Sequence, residues 1–488
     1  MSASSPRAQI VIQPLRAGLR VGEAQQLDVL VRVQAGEQPP ADRASPPRQP
    51  HALALVIDRS GSMQGKPLAE AKRCAGFVVS RLTPTDVLAL VQFDNRVERL
   101  WPAVPLGDGE SVKSAIARID AGGTTNLHGG WLHGADSLAG VAGEGLKRVI
   151  LLSDGCANEG VTDTSDIAQQ CAQWAAKGIS TSTYGLGNGF NEDLMVQMAR
   201  AGGGSHYYGD TADDLMEPFE RELDLISRLA LRRPVLRIKT PGGVVCQIRN
   251  TLVRTPDGGW YLPDVAYGSE AWALLSLTIP ESITAEPGSL ASLVEVQVSA
   301  HGSDAAQVEL PAAILRLPVL SREAWALLES DPLVQRRQAE LQAAAMLGDM
   351  RKMVGDGEWQ AVDRLLTKAR KRFGDNPWLA DVMRSMAELA EMRDEVRLTK
   401  ESVFFESVAS SRLAAMSEAI DPLEERLDVP SFLRRKGMQG KADARYATDR
   451  RGFVSTRPGI GAKLPRPDRP RLIAFLRTLN VWSIDPIT

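Results

Sequence analysis

The stretch His51–Leu68, HALALVIDRSGSMQGKPL, decides how the rest of the chain is read. Leu53, Leu55, Val56 and Ile57 make a short apolar run suited to a strand buried on both faces. The run stops at Asp58; Ser60, Gly61, Ser62 and Gly65 follow, and Pro67 opens a helical pattern. A buried strand thus delivers the chain into an oxygen-rich turn and then a helix. Asp58, Ser60 and Ser62 offer one carboxylate and two hydroxyls at alternate positions. Such hard donors suit Mg²⁺, Ca²⁺ or Mn²⁺ and suit softer metals poorly. The same residues also make an ordinary capped strand-to-helix turn, and the stretch alone does not separate the two readings.

Outward from it, residues 53 to about 229 alternate strand and helix. Pro67–Leu82 reads as a helix with Leu68, Ala71, Ala75 and Val79 on one side, Val87–Phe93 as a strand, and Val97–Val104 as an edge strand paired with it. A short helix over 111–119, the loop AGGTTN, a helix His128–Leu138 and the buried strand Lys147–Gly155 (KRVILLSDG) come next. Helices at Ser165–Lys177, Glu192–Ala201 and Ala212–Leu229 then alternate with strands at Ile179–Gly185 and Ser205–Tyr208. This spacing predicts an α/β, doubly wound, mainly parallel Rossmann-like sheet.

On either side the pattern changes. Residues 9–35 hold two alternating runs; in the second, Leu27, Val29, Val31 and Val33 share one face and Asp28 and Arg32 the other, as in a half-buried antiparallel strand. Residues 36–50 carry five prolines and read as a linker. Residues 231–320 contain short strand-like runs between Gly-, Pro- and Asp-rich turns, an all-β segment of about sandwich size. An isolated hairpin is marginal in water, so residues 9–35 are expected to join that sandwich, with the α/β segment inserted between its strands. Residues 321–417 read as helical throughout, broken by GDGEW (355–359) and GDNPW (374–378). Trp359–Met392 resembles a tetratricopeptide-type hairpin, but a plain helical bundle accounts for it as well. The expected division is 1–50 (N-terminal sandwich strands and linker), 51–229 (α/β), 230–320 (sandwich), 321–420 (helical) and 421–488 (flexible tail).

The chain has 488 residues, room for two to four domains, with 24% charged and 43% hydrophobic residues and a net charge of -3. That balance argues against bulk nucleic-acid binding, which needs a cationic surface. The cysteines Cys74, Cys156, Cys171 and Cys246 show no metal-ligand spacing and read as free thiols in a reduced compartment. The polar start MSASSPRAQ is unlike a signal peptide, and no apolar stretch is long enough to span a bilayer, so a cytoplasmic location is expected.

A doubly wound sheet binds ligands at the carboxyl ends of its strands, where strand order reverses. If His51–Asp58 and KRVILLSDG flank that point, Asp58 and Asp154 emerge side by side, and GGTTNL (122–127) adds a threonine hydroxyl. Two aspartates, two serines and a threonine on three loops would make a five-oxygen cup for one divalent cation. On these residues the segment 51 to about 229 resembles the von Willebrand factor type A (VWA) domain. DRSGSM matches the family's DxSxS motif, GGTTNL its threonine loop and LLSDG its distal aspartate, in the right order and at the right spacing.

The resemblance implies a metal-ion-dependent adhesion site. Ser60 and Ser62 would be direct ligands, Asp58 and Asp154 would bind directly or through water, and Thr125 would join on ligand binding; Thr124 is the alternative threonine. Mg²⁺ is the family's usual ion, and an acidic side chain of a partner protein commonly takes the open coordination position. Asn158 and Glu159 would rim the cup, or simply lie on a solvated loop. In the tail, LDVPSFLRRK resembles the partner-binding peptide of the bacterial tubulin-like division protein FtsZ, with Pro430, Phe432 and Leu433 as docking residues; a generic docking motif reads the same way. His128, His133 and His206 read as capping or packing residues, and Cys156 as a small loop residue. No P-loop, Rossmann GxGxxG or nucleophile elbow occurs in context.

The leading expectation is a non-enzymatic bacterial cytoplasmic scaffold that binds a partner through Mg²⁺. The resemblance associates such proteins with an ATPase, kinase or phosphatase encoded nearby. A membrane-associated role like that of calcium-activated chloride-channel-type VWA proteins is the alternative, and a metal-dependent hydrolase is a third reading.

Overall fold

The structure, a computed structural model, describes residues 8–36, 50–143, 145–154, 157–186, 191–209, 211–302, 306–411 and 414–415. The chain runs through Ala8–Pro14 (β1), Leu19–Arg20 (β2), Gln25–Ala35 (β3), Ala52–Asp58 (β4), Lys66–Arg81 (α1), Val87–Phe93 (β5), Val97–Pro105 (β6), Glu110–Ala117 (α2) and Leu127–Ala139 (α3). Lys147–Ser153 (β7), Thr164–Ala176 (α4), Ile179–Leu186 (β8), Glu192–Ala201 (α5), Gly203–Gly209 (β9) and Ala212–Ser227 (α6) follow. Then come Leu229–Lys239 (β10), Val245–Ile248 (β11), Trp260–Tyr261 (β12), Val265–Ala266 (β13), Ser269–Ile279 (β14), Leu290–Gly302 (β15) and Gln307–Leu320 (β16). Arg322–Ala326 (α7), Pro332–Gly355 (α8), Trp359–Phe373 (α9), Pro377–Glu391 (α10), Glu395–Ser411 (α11) and Ala414–Ala415 (β17) complete the order.

The central sheet has strand order β6-β5-β4-β7-β8-β9, parallel except for the edge strand β6, which pairs antiparallel with β5. Strand order reverses between β4 and β7, which lie side by side. Every residue of β4 is buried, as its continuous apolar run requires, because helices cover both faces. On one face Val56, Val149 and Leu151 pack with Leu127, Trp131 and Leu138 of α3. On the other, Leu55, Ile57 and Leu152 pack with Leu68, Ala75 and Val79 of α1 and Phe219 of α6. The approach of α3 is close: a Cβ on Gly130 would lie 2.4 Å from the Phe93 ring, so only glycine fits there.

The flanking β segments form two facing sheets, β1-β3-β14-β11 and β12-β10-β15-β16-β2. β3 pairs antiparallel with β14 from Gln34↔Glu270 to Gln25↔Ile279, so strands before and after the central sheet belong to one sheet. Val29, Val31 and Val33 of β3 meet Leu236, Val296 and Val298 of the opposite sheet in the sandwich core. The outer face of β3 departs from the half-buried expectation. Leu30 is covered together with Trp272, Leu274 and Val334 of α8, and Arg32 is buried in an ion pair with Glu270 (Nη2–Oε2 2.6 Å). The helical region thus lies across the sandwich as well as beside the central sheet. A second correction concerns residues 321–417: the described residues after α11 are not helical but form β17, which pairs with Ser269 and Glu270 of β14. Breaks also fall at 327–331 and 392–394, where Arg393 takes a φ of +53°.

A buried ionic cluster ties the central sheet to the sandwich. Arg148, at the start of β7, donates to Glu222 Oε1 on α6 (2.8 Å), to Ser180 Oγ (2.8 Å) and to Asp264 Oδ2 between β12 and β13 (3.3 Å). Glu222 also accepts from the Tyr184 hydroxyl (2.7 Å) and from Ser182.

His206 of β9 is a packing histidine in this structure. Thr183 donates its hydroxyl to the Met195 carbonyl (2.8 Å), leaving the Thr183 oxygen to accept from His206 Nδ1 at 2.9 Å. Burial pushes the His206 pKa down to about 3. With the unfolded value near 6.5, its contribution is complete above about pH 6.5 and lost as pH falls toward 3, because only the unfolded chain takes up the proton. His206→Gln is therefore expected to flatten the acid limb of a stability–pH curve by up to about 1.4 kcal/mol per pH unit. Urea unfolding of both proteins between pH 7 and 4 measures it, and parallel curves would refute it. Cys74, Cys171 and Cys246 are free thiols, and Cys156 lies outside the described residues.

Candidate metal centre

The register of the sheet builds the site. Ile57 pairs with Leu152 and Asp58 with Phe93, so Asp58, Asp94 and Asp154 all leave the sheet at the same end, around the point where strand order reverses. Asp58 is fully buried. Its Oδ1 accepts from the Ser60 amide (2.8 Å) and its Oδ2 from the Ser153 hydroxyl (2.6 Å). Ser60 is buried, and its Oγ lies 3.2 Å from that of Ser62, which is exposed. Ser62 therefore forms the solvent-facing lip. Asp154 and Thr125 are also buried, at 6% and 2% exposure.

Backbone hydrogen bonds knit the three loops. Gly122 donates to the Arg59 carbonyl (2.6 Å) and Gly61 to the Gly123 carbonyl (2.8 Å), closing the DRSGSM turn onto the threonine loop. The Thr125 carbonyl accepts from the amides of Asn158 and Glu159, both at 3.2 Å, and the Thr125 amide donates to Asn158 Oδ1 (2.8 Å). Thr124 is exposed and directs its hydroxyl to the Glu159 carboxylate. Asn158 and Glu159 thus sit on the rim with side chains turned to the threonine loop. Asn126 caps α3 by accepting from the Gly129 amide (2.9 Å).

Two residues that the sequence reading did not single out hold this arrangement. Ser153 fixes the inner oxygen of Asp58. Asp94 is buried, pairs with Arg59 (2.8 Å) and accepts from the Gly123 amide (3.2 Å). A Cβ on Gly122 would fall 2.0 Å from Asp94 Oδ2, so a larger residue there would push the Asp94 carboxylate off its Arg59 and Gly123 partners. The signal for Asp94 was a carboxylate directly after the buried run VLALVQF, the same pattern that marked Asp58 and Asp154.

The chemistry of the donor set fits a hard divalent cation. Burial pushes the Asp58 pKa up to about 6; the hydrogen bonds from Ser153 and Ser60 oppose the rise, and the neighbouring Asp154 adds to it. Among the described residues no ion pair compensates Asp58, since Arg59 is engaged by Asp94. A buried carboxylate facing a second one and ringed by hydroxyls lacks positive charge, which a bound cation would supply. Pro430, Phe432 and Leu433 lie outside the described residues.

Residues 52–221 match the family model of the von Willebrand factor type A domain, and that segment of the chain is a VWA domain. Such domains are metal-dependent protein-interaction modules. The fold is shared with a von Willebrand factor type A protein from Catenulispora acidiphila, at a TM-score of 0.62 and 15% identity, covering 84% of this chain and 98% of that one. It is shared also with the ArnB paralog VWA2 from Sulfolobus acidocaldarius, at 0.54 and 17%, covering 82% and 99%. Among curated proteins, the uncharacterized protein YfbK of Escherichia coli is 28% identical over 202 residues, 40% of this chain and 33% of its own length. The human inter-alpha-trypsin inhibitor heavy chain H1 is 30% identical over 172 residues, 32% of this chain and 19% of its own. The chain spans a third or less of the length of these two relatives. No helix among the described residues is long and apolar enough to cross a membrane.

Proposed function

We propose that the chain is a non-enzymatic scaffold whose VWA segment (51–229) binds a partner protein through a divalent cation. Mg²⁺ is the ion that best suits the site, and Asp58, Ser60, Ser62, Thr125 and Asp154 are its holders. The observation that carries this reading is the donor set itself: two carboxylates and three hydroxyl-bearing side chains on three loops that hydrogen-bond to one another, with Ser62 open to solvent. Five protein oxygens and only two carboxylates leave a cation there electrophilic and short of a ligand, so an acidic side chain of a partner is the natural complement. Asn158 and Glu159 hold the threonine loop in place at the rim. The sandwich (1–50 with 230–320) and the helical region (321–420) grip the VWA segment at both ends and orient its cup. A bacterial cytoplasmic setting beside an ATPase, kinase or phosphatase is the context this reading favours.

Affinity capture with the full chain as bait tests it. A partner should be retained in Mg²⁺ and released by EDTA, and Asp58→Ala bait should fail to retain it in either condition. A partner held equally by all three would sink the metal-bridged reading.

A further inference from the structure

A second site lies away from the metal cup, where three regions of the chain meet. A cavity of about 200 Å³ opens between α5, the loop carrying Val253, and the helices α8 and α11. Arg200 of α5 and Arg351 of α8 both line it, with Asp193, Val403 and Glu406 around them.

The two guanidiniums are incompletely satisfied. Arg351 donates through Nη2 to Glu406, but its Nη1 is buried and has no hydrogen-bond partner among the described residues. Arg200 is partly buried, and burial lowers its pKa; Glu406 and Asp193 act on it through charge alone, and the like charge of Arg351 opposes them. Asp193 is itself engaged, accepting from Gln197 Nε2 at 2.8 Å. Two cationic forks therefore border one small cavity with donor capacity to spare. Leaving charged donors partly desolvated and unmatched is costly, and an oxyanion bridging them would meet both in charge-assisted hydrogen bonds. The volume falls below the roughly 300–1,000 Å³ of pockets for drug-sized ligands, which suits a small acid.

We propose that this cavity binds a small oxyanion, a phosphate or a carboxylic acid of similar size, between Arg200 and Arg351. Because the cavity wall comes from the VWA segment, the sandwich segment and the helical region together, an occupant would fasten the three to one another. The site is independent of the metal cup.

Calorimetric titration of the full chain in EDTA, at fixed ionic strength, provides the test, with inorganic phosphate in one arm and succinate in the other. The expected result is saturable binding of at least one of the two. Arg200→Gln should weaken it about tenfold or more, as loss of a charged hydrogen-bond donor predicts. Val253→Phe, which fills the cavity without touching a charge, should abolish it, and Ser60→Ala should leave it unchanged. Phosphate binding alone assigns the site to phosphate-type ligands, and succinate binding alone to carboxylates. Absence of saturable binding in both arms would overturn the proposal, as would equal affinity in wild type and Arg200→Gln.

Discussion

Asp58→Asn is expected to abolish stabilisation by divalent cations while leaving the metal-free protein at least as stable as wild type. The asparagine keeps an oxygen to accept the Ser60 amide and can donate its NH2 to the Ser153 hydroxyl, reversing that bond, while removing the negative charge that burial and Asp154 disfavour. Without a cation that charge costs stability; with one it anchors the cation. A cation at 100 times its dissociation constant should stabilise wild type by ~2.7 kcal/mol and the variant by almost nothing. Thermal unfolding with Mg²⁺ and with EDTA measures both halves of the statement. Equal Mg²⁺ shifts in the two proteins would show that the cation binds elsewhere.

Arg148→Met should be among the most damaging single changes in the chain, at about 3–5 kcal/mol, the usual result of removing one partner from a buried ion pair. Glu222 is 2% exposed and would be left without its cation, and Asp264 would lose its link to the central sheet. The double variant Arg148→Met with Glu222→Leu should not restore wild-type stability, since removing Glu222 also strips the buried Tyr184 and Ser182 hydroxyls of their acceptor. Urea midpoints of wild type, single and double variants decide this; a single variant unfolding at the wild-type midpoint would refute it.

The central sheet was legible in the sequence because its signals are local. β4 and β7 are unbroken apolar runs, each ending next to an aspartate, and Asn126, Asp163 and Asn191 stand at the N-caps of their helices. DRSGSM, GGTTNL and LLSDG were grouped in the sequence by their resemblance to the VWA motifs, and the order reversal at β4 and β7 brings them to one end of the sheet. What was missed depends on partners distant in sequence. Arg32 looks like a solvent-facing strand residue until Glu270 and α8 cover it. Arg148 looks like a basic flank to a strand, and its role appears only when Glu222 and Asp264 converge on it. Asp94 carried the same signature as Asp58, but its place in the site follows from the β4–β5 register, which residue spacing does not reveal. Residues 421–488, which hold the docking-like LDVPSFLRRK, lie outside the described residues.

The pairing of β3 with β14 also sets an order of assembly. β3 ends at Ala35, and its partner begins at Ser269, after the whole α/β segment has been made. During synthesis the β1–β3 hairpin must wait, and hairpins alone are marginal in water. The central sheet is continuous in sequence and can complete itself in that interval, as domains generally do on emerging. The sandwich then closes over a unit already folded. A nascent chain from which α6 has just emerged would carry a finished cup on an unfinished base, with the apolar face of β3 uncovered and open to aggregation or to a chaperone.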